Sequence, residues 1–269
     1  MKKRTPRLGQ HFLKNPRFAQ ELVRAAELRS GDTTVEIGPG KGALTRELLA
    51  TGAHVIAIEK DKELVAHLND AFQKEIGSGQ LTLVEGDIRN FNPSTWQLAA
   101  GSYSVAANIP YYITGEIIRE FLTATTQPRT IALLVQKEVA DRIIARDGKE
   151  SILSLSVKAY GKPRIVAKVS RGNFSPPPQV DSAIIAIRDI SRKFFEGLDE
   201  DVFFKVVRTG FSSRRKLLAG NLKKIASSAA IANVFSKVDI ADKARAEDIS
   251  LEQWSGLARQ LSVTFPVSA

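Results

Sequence analysis

The sequence predicts a Rossmann-like α/β fold, a doubly wound and mostly parallel sheet of seven strands, followed by a small all-helical domain. Three observations carry that expectation. Short β-branched or apolar runs alternate with helical periodicity from residue 16 to residue 146, the pattern of successive strand–helix units. The first of these runs passes directly into a glycine-rich turn, Gly38-Pro39-Gly40-Lys41-Gly42. Beyond Ser191 the period-two pattern disappears and only helical spacing is left.

In chain order, residues 16–27 read as a helix because Phe18, Leu22, Val23 and Ala26 recur at spacings near three and four, and Ser30-Gly31-Asp32 breaks it. Residues 33–37 are a β-branched run. After the glycine turn comes a helix at 43–50, closed by Gly52. Residues 53–58 give a second strand ended by Glu59, and 62–76 a long amphipathic segment. A third strand, 81–84, ends in Glu85-Gly86-Asp87, and strands at 103–107 and 131–135 follow, with helices at 113–123 and 137–146. Residues 151–159 read as a helix. Strands at 164–169 and 183–187, joined by a proline-rich link, suggest an antiparallel pair at the sheet edge. Helices are expected at 202–211, 216–225 and 251–261. One boundary, near 189–198, divides a catalytic domain at 1–190 from a helical domain at 191–269.

Composition narrows the chemistry. The 269 residues, 43% hydrophobic, suffice for one substantial core and a smaller attached domain. No apolar run reaches the roughly 18 residues of a membrane span, and no signal-peptide core follows Met1. The expectation is a cytoplasmic monomer without a membrane partner. Zero cysteines exclude disulfides, thiolate zinc sites and cysteine nucleophiles, and His11, His54 and His67 are too scattered for a histidine metal site, so no metal is expected. The net charge of +10 points to a polyanionic partner. It is concentrated: residues 1–24 hold Lys2, Lys3, Arg4, Arg7, Lys14, Arg17 and Arg24 against Glu21 alone. Residues 205–245 hold ten basic residues against Asp239 and Asp242. A solvated basic surface explains this blandly; two clusters flanking a balanced centre favour nucleic acid.

The strand ends carry the candidate site. Glycines at 38, 40 and 42 let the backbone turn sharply and let a ligand approach closely. Glu59 stands 21 residues after Gly38, at a strand end where its carboxylate can accept both hydroxyls of a ribose. Asp87 ends the third strand within reach of a purine amino group, although a helix N-cap explains it equally well. With Ala43 in sixth place the loop also fits a dinucleotide fingerprint, which keeps an NAD-dependent oxidoreductase open. The proline in the loop and the acid two residues before its first glycine are more like the first motif of S-adenosylmethionine methyltransferases.

The fourth strand ends in Asn108-Ile109-Pro110-Tyr111. An exocyclic adenine nitrogen is a poor nucleophile because its lone pair is delocalised into the ring. The Asn108 side-chain oxygen and the Ile109 carbonyl can accept both N–H hydrogens and turn the lone pair outward, with Pro110 restricting the backbone and Tyr111 stacking on the base. Phe174 in Phe174-Ser175-Pro176-Pro177-Pro178-Gln179-Val180-Asp181-Ser182 is the candidate for the opposite wall; a polyproline spacer holding a core phenylalanine is the competing reading. Tyr112 reads as a packing residue as readily as a functional one.

Taken with Gly9-Gln10-His11-Phe12-Leu13, Gly86-Asp87 and Gln136-Lys137-Glu138-Val139-Ala140-Asp141-Arg142, these stretches make the chain resemble the ribosomal RNA adenine N6-dimethyltransferase family. That class I family includes small-subunit RNA dimethyltransferases and the large-subunit enzymes of macrolide resistance. The resemblance implies that His11, Leu13, Gly38, Gly40, Glu59, Asp87 and Asn108 contact S-adenosylmethionine, with Asn108 also facing the target nitrogen. It implies that Tyr111 and Phe174 sandwich the adenine. It implies that the C-terminal helices touch ribosomal RNA, the candidates being Arg214, Arg215, Lys216, Lys223 and Lys224. Residues 211–222 and 174–182 look more like the small-subunit branch, with two adjacent adenines as targets and a role in late subunit assembly. Ile109 and Thr114-Gly115-Glu116 depart from that branch, Ile109 towards the resistance enzymes. A non-catalytic RNA-binding assembly or transcription factor is the alternative from another class, against which the complete set of site motifs stands.

Overall fold

The computed structural model describes residues 11–262. Residues 1–10, with Lys2, Lys3, Arg4 and Arg7 of the basic arm and Gly9-Gln10 of the first motif, lie outside the described residues. In chain order the elements are β1 (Phe12–Leu13), α1 (Pro16–Ala26), β2 (Thr33–Ile37), α2 (Ala43–Leu49), β3 (His54–Glu59), α3 (Lys62–Ala71), α4 (Gln73–Gly77) and β4 (Leu81–Glu85). Then come β5 (Tyr103–Asn108), α5 (Thr114–Thr123), β6 (Thr130–Gln136), α6 (Lys137–Ile144), α7 (Ile152–Lys158), β7 (Lys162–Val169), β8 (Phe174–Ser175) and β9 (Ser182–Arg188). Four helices finish the chain: α8 (Glu200–Gly210), α9 (Leu218–Leu222), α10 (Ser228–Lys237) and α11 (Leu251–Ser262).

The seven-stranded sheet runs β4-β3-β2-β5-β6-β9-β7. Its first five strands are parallel, and β9 is antiparallel to both β6 and β7. The two late strands do pair antiparallel, with β7 at the edge and β9 inside it. Strand order reverses at β2 and β5, which are neighbours, so their carboxyl ends, Ile37 and Asn108, frame a topological switch point where ligands bind in open α/β sheets. The interior strands are apolar because both faces are covered: Val35, Val105, Ala106, Leu133 and Ile185 are fully buried. Helix α1 lays Ala19, Leu22, Ala25 and Ala26 into this core.

The described residues group into two compact units. One reaches to Ala140 and resumes over Gly161–Ile190; the other joins Asp141–Tyr160 to the residues from Ser191 onward. The single cut near 189–198 expected from the pattern does not describe this grouping, because α7 and its flanks pack with the C-terminal helices. The Tyr160 ring meets those of Phe195 and Phe204, with centroids 5.1 and 6.3 Å away, and its hydroxyl donates to Glu200. The Glu150 amide donates to the Glu247 carbonyl at 2.9 Å. In the same unit, buried Trp254 stacks on Phe211, centroids 5.6 Å apart, among Phe203, Val207, Leu218 and Leu222.

Other differences have local causes. The amphipathic stretch 62–76 is two helices, because Phe72 leaves helical geometry (φ −125°, ψ 30°) and is buried in the core. The helix expected over 216–225 shortens to α9. The helix α10, with Ile231, Val234 and Phe235 buried, and the two-stranded pair β1–β8 were not expected. No helix among the described residues is long and apolar enough to cross a membrane.

Candidate active site

At the end of β2 the Gly38 amide donates to the Ile58 carbonyl at 2.9 Å, extending the β2–β3 ladder by one bond before the chain turns away. Gly40 and Gly42 then take φ of +60° and +79°, where a side chain is strained. A Cβ on Gly42 would sit 2.5 Å from the Phe72 ring, and one on Gly40 2.9 Å from the Phe12 ring. The loop is therefore clamped between α3 on one side and β1 on the other. The Lys41 ammonium lies 5.1 Å from the Phe12 ring centroid and adds a cation–π contact.

Glu59, nearly buried at the end of β3, holds this loop in shape. Its Oε2 accepts from the Gly40 amide at 3.0 Å, and its Oε1 accepts from the Lys60 and Asp61 amides, both at 2.9 Å. A carboxylate offers about four acceptor positions, so one at Oε2 is open towards the cavity for a hydroxyl. Asp87 caps the short helix Ile88–Asn90 by accepting from the Arg89 amide at 3.1 Å, and it also takes Lys60 Nζ at 2.8 Å and the Arg89 guanidinium. The Arg89 and Lys60 cations hold its carboxyl well below the usual range. The cap reading of Asp87 is what the structure shows, and the same residue also lines the cavity.

Asn108 ends β5. Its Nδ2 donates to the His11 carbonyl at 3.0 Å, and because only the nitrogen can face a carbonyl, the amide's orientation is set. Tyr111 is fixed at the other end of the motif: its hydroxyl shares a 2.8 Å hydrogen bond with the buried Ser182 hydroxyl, and burial pushes its pKa up. The His11 ring stacks against Tyr111, centroids 5.8 Å apart at 27°, and His11 Nδ1 donates to the Pro176 carbonyl at 2.8 Å. These contacts belong to the β1–β8 pair, with Phe12 opposite Ser175 and Leu13 opposite Phe174, continued by the Lys14 amide on the Asn173 carbonyl at 2.8 Å.

One cavity is lined by His11, Leu13, Gly38, Gly40, Glu59, Asp87, Asn108, Ile109, Pro110 and Tyr111, which brings every expected cofactor contact together with the Asn-Ile-Pro-Tyr stretch. Phe174 is not brought there. It lies in β8, fully buried in the apolar core, and is not among the residues of the cavity wall. The five basic candidates lie in the other unit. Arg214, Arg215, Lys216, Lys223 and Lys224 are all exposed, the first three in the turn before α9. The buried Asn221 fixes that turn, donating from Nδ2 to the carbonyls of Gly210 at 2.6 Å and Ser213 at 3.0 Å.

Lys60 and Arg89 also line the cavity and were not singled out by pattern, while Glu36 and Tyr112, noted in the sequence, were given no ligand contact. Glu36 is 1% exposed and neither carboxylate oxygen has a hydrogen-bond partner. Burial, aided by the Glu59 charge, pushes its pKa up to about 8; the Thr45 hydroxyl and amide lie near enough to ease the charged form without making a well-formed hydrogen bond. Its signal was present, since it is the acid two residues before Gly38.

The sequence profile described as "Ribosomal RNA adenine dimethylase" matches residues 1–262. A protein from Dehalococcoides mccartyi (strain CBDB1) described as "Ribosomal RNA small subunit methyltransferase A" is 40% identical over 252 residues, spanning 93% of this chain and 86% of that protein. A protein of the same description from Synechococcus elongatus (strain ATCC 33912 / PCC 7942 / FACHB-805) is 38% identical over 270 residues, spanning 95% and 94%. Among solved structures, a dimethyladenosine transferase from Plasmodium falciparum has TM-score 0.80 at 26% identity, covering 94% of this chain and 98% of that one. The 23S rRNA methyltransferase ErmE has TM-score 0.77 at 25% identity, covering 93% and 99%.

Proposed function

Since the chain belongs to the ribosomal RNA adenine dimethylase family, we propose how its residues divide the work of that reaction. The protein is an S-adenosylmethionine-dependent enzyme that methylates the exocyclic N6 of adenine in small-subunit ribosomal RNA to give N6,N6-dimethyladenine.

The cavity suits an adenosyl cofactor. Its glycine turn leaves backbone where a Cβ would intrude, Glu59 Oε2 keeps an acceptor free for a ribose hydroxyl, and the unpartnered oxygens of Glu36 lie beside the loop. When bound, S-adenosylmethionine supplies a methyl group on a positively charged sulfur, an electrophile that needs no added Lewis acid.

The observation that carries the assignment of roles is the bond from Asn108 Nδ2 to the His11 carbonyl. With the nitrogen engaged, Asn108 Oδ1 is the atom left to accept an N6 hydrogen. The Ile109 carbonyl takes the second, so the lone pair is drawn out of conjugation and aimed at the methyl donor. The nitrogen would carry a positive charge once methylated and release one proton to solvent water, so neither group has to act as a base. Tyr111 supports one face of the adenine. Phe174 serves as the opposite wall only if the β1–β8 pair parts and releases its ring from the core. A base bound this way has left its stack, so the substrate presents an accessible adenine.

Arg214, Arg215, Lys216, Lys223 and Lys224 hold the RNA backbone, as exposed cations on a pinned turn would. We further place the protein in the cytoplasm as a monomer that modifies two adjacent adenines late in subunit assembly.

The test is transfer of labelled methyl to immature small subunits, followed by mass spectrometry of the RNA. Dimethylated adenine in small-subunit RNA is expected, and its loss from cells lacking the protein. Incorporation only into protein-free large-subunit RNA, which Ile109 would then foreshadow, overturns the substrate assignment.

A further inference from the structure

The residue beside the reacting motif is the least buried large hydrophobic side chain recorded: Tyr112 is 73% exposed. It is not the packing residue that its sequence setting allows. It lies in the short helix Tyr111–Ile113 and lines the cavity mouth, while its neighbour Tyr111 is tied inward to Ser182. An aromatic ring held in water at a substrate opening gains by being covered.

What adjoins it is a second depression. Arg89 is common to the cavity wall and to a groove that continues past it, walled by Asn90, Asn92, Glu116, Arg119 and Glu120. Glu116 and Tyr112 lie within electrostatic reach of the Arg89 guanidinium, whose main partner is Asp87. This groove mixes signs: guanidinium and amide groups line it together with two carboxylates. A phosphate track would be uniformly basic, whereas a nucleobase edge offers amino donors and ring acceptors together, which these walls match.

We propose that Tyr112 and the Arg89–Arg119 groove form a second nucleobase subsite, which stacks and holds the nucleotide next to the target adenine in single-stranded RNA. The subsite rests on the adenine-methylating role of the adjoining cavity. It has a direct consequence. Splaying the target adenine into the cavity breaks its stacking on a neighbour, and Tyr112 replaces that lost stack with its own ring. Tyr112 is thereby a specificity residue for RNA.

The test uses a short single-stranded RNA with one target adenine and 2-aminopurine at the flanking position, placed 5′ in one oligonucleotide and 3′ in another. The wild-type protein is expected to methylate the RNA and to quench one of the two flanking fluorophores. Tyr112→Ala loses that quench and raises KM for the RNA roughly 5- to 150-fold, the range for one stacked base. Its thermal unfolding midpoint stays as in the wild type, which shows that it folds. Tyr112→Phe restores quench and KM, and Arg119→Ala weakens them in part. Methylation with an unchanged quench in Tyr112→Ala overturns the subsite alone. A wild-type protein that methylates neither this RNA nor immature small subunits overturns the reading of the cavity and the subsite with it.

Discussion

Asn108 Nδ2 lies 3.0 Å from the carbonyl oxygen of His11, so the amide at the centre of the cavity is oriented by a residue 97 positions earlier in the chain. Nothing on β5 itself decides which way that amide faces. The β1–β8 pair, by holding His11 in place, determines that the amide's nitrogen is the engaged end and its oxygen the other. One consequence is direct. Asn108→Ala removes that acceptor, and Asn108→Asp sets a carboxylate against the His11 carbonyl. Both are expected to lower kcat for labelled methyl transfer by about 10²–10³, the usual loss for a donor or acceptor that acts in the transition state. Stabilisation by S-adenosylhomocysteine should fall only in part. Full activity in either variant would remove Asn108 from the mechanism.

Glu36 makes stability depend on pH. Its folded pKa, about 8, stands above its ordinary value of 4.5 because its charged form is buried beside Glu59. The folded state therefore binds more protons than the unfolded one between those values, and stability falls as pH rises through that window. By pH 7 the loss is on the order of 3 kcal/mol relative to acid conditions. Denaturant titrations at intervals from pH 5 to 8.5 should show a decline for the wild type that is absent in Glu36→Gln. Parallel slopes for the two proteins would mean that Glu36 ionises normally.

Phe174 separates packing from substrate contact. The side chain is fully buried, so Phe174→Ala should cost about 3–5 kcal/mol of stability. Phe174→Leu keeps most of the volume and should recover most of that stability. A remaining deficit in kcat/KM for RNA, with cofactor binding intact, measures the ring's service as the second adenine wall. Wild-type activity in the leucine variant would confine Phe174 to the core.

The turn before α9 predicts a salt effect. Single alanine substitutions at Arg214, Arg215 or Lys216 should weaken RNA binding across sequences and reduce the slope of log K against log salt by roughly 0.7–0.9 per lost phosphate contact. Cofactor-induced stabilisation should not change. Filter-binding titrations over a salt series give the slope, and an unaltered slope would take these side chains off the RNA path.

Much of this site was legible in the residues because its parts are local. Glycines at alternate positions, acids at strand ends and the Asn-Ile-Pro-Tyr stretch each announce themselves within a few neighbours, and the parallel sheet follows from strand–helix alternation. The sheet's carboxyl edge then gathers them, since parallel strands put all their C-terminal ends on one side. Two-residue strands leave no periodicity to detect, so β1–β8 was invisible, and with it the anchor for Asn108. The grouping of α7 with the C-terminal helices was equally hidden, because the contacts that declare it, the Tyr160 ring among Phe195 and Phe204 and the Glu150 amide on the Glu247 carbonyl, join residues far apart in the chain.

Sequence by itself determined the fold class and marked out the strand-end residues that come to line one cavity, through backbone requirements and burial patterns that act over short separations. Tertiary structure alone decided which atom of Asn108 is held by the His11 carbonyl, that Phe174 lies in the core and that Tyr112 lies in water. Those outcomes depend on partners far away in the chain, and contact between distant segments leaves no mark on the spacing of either one.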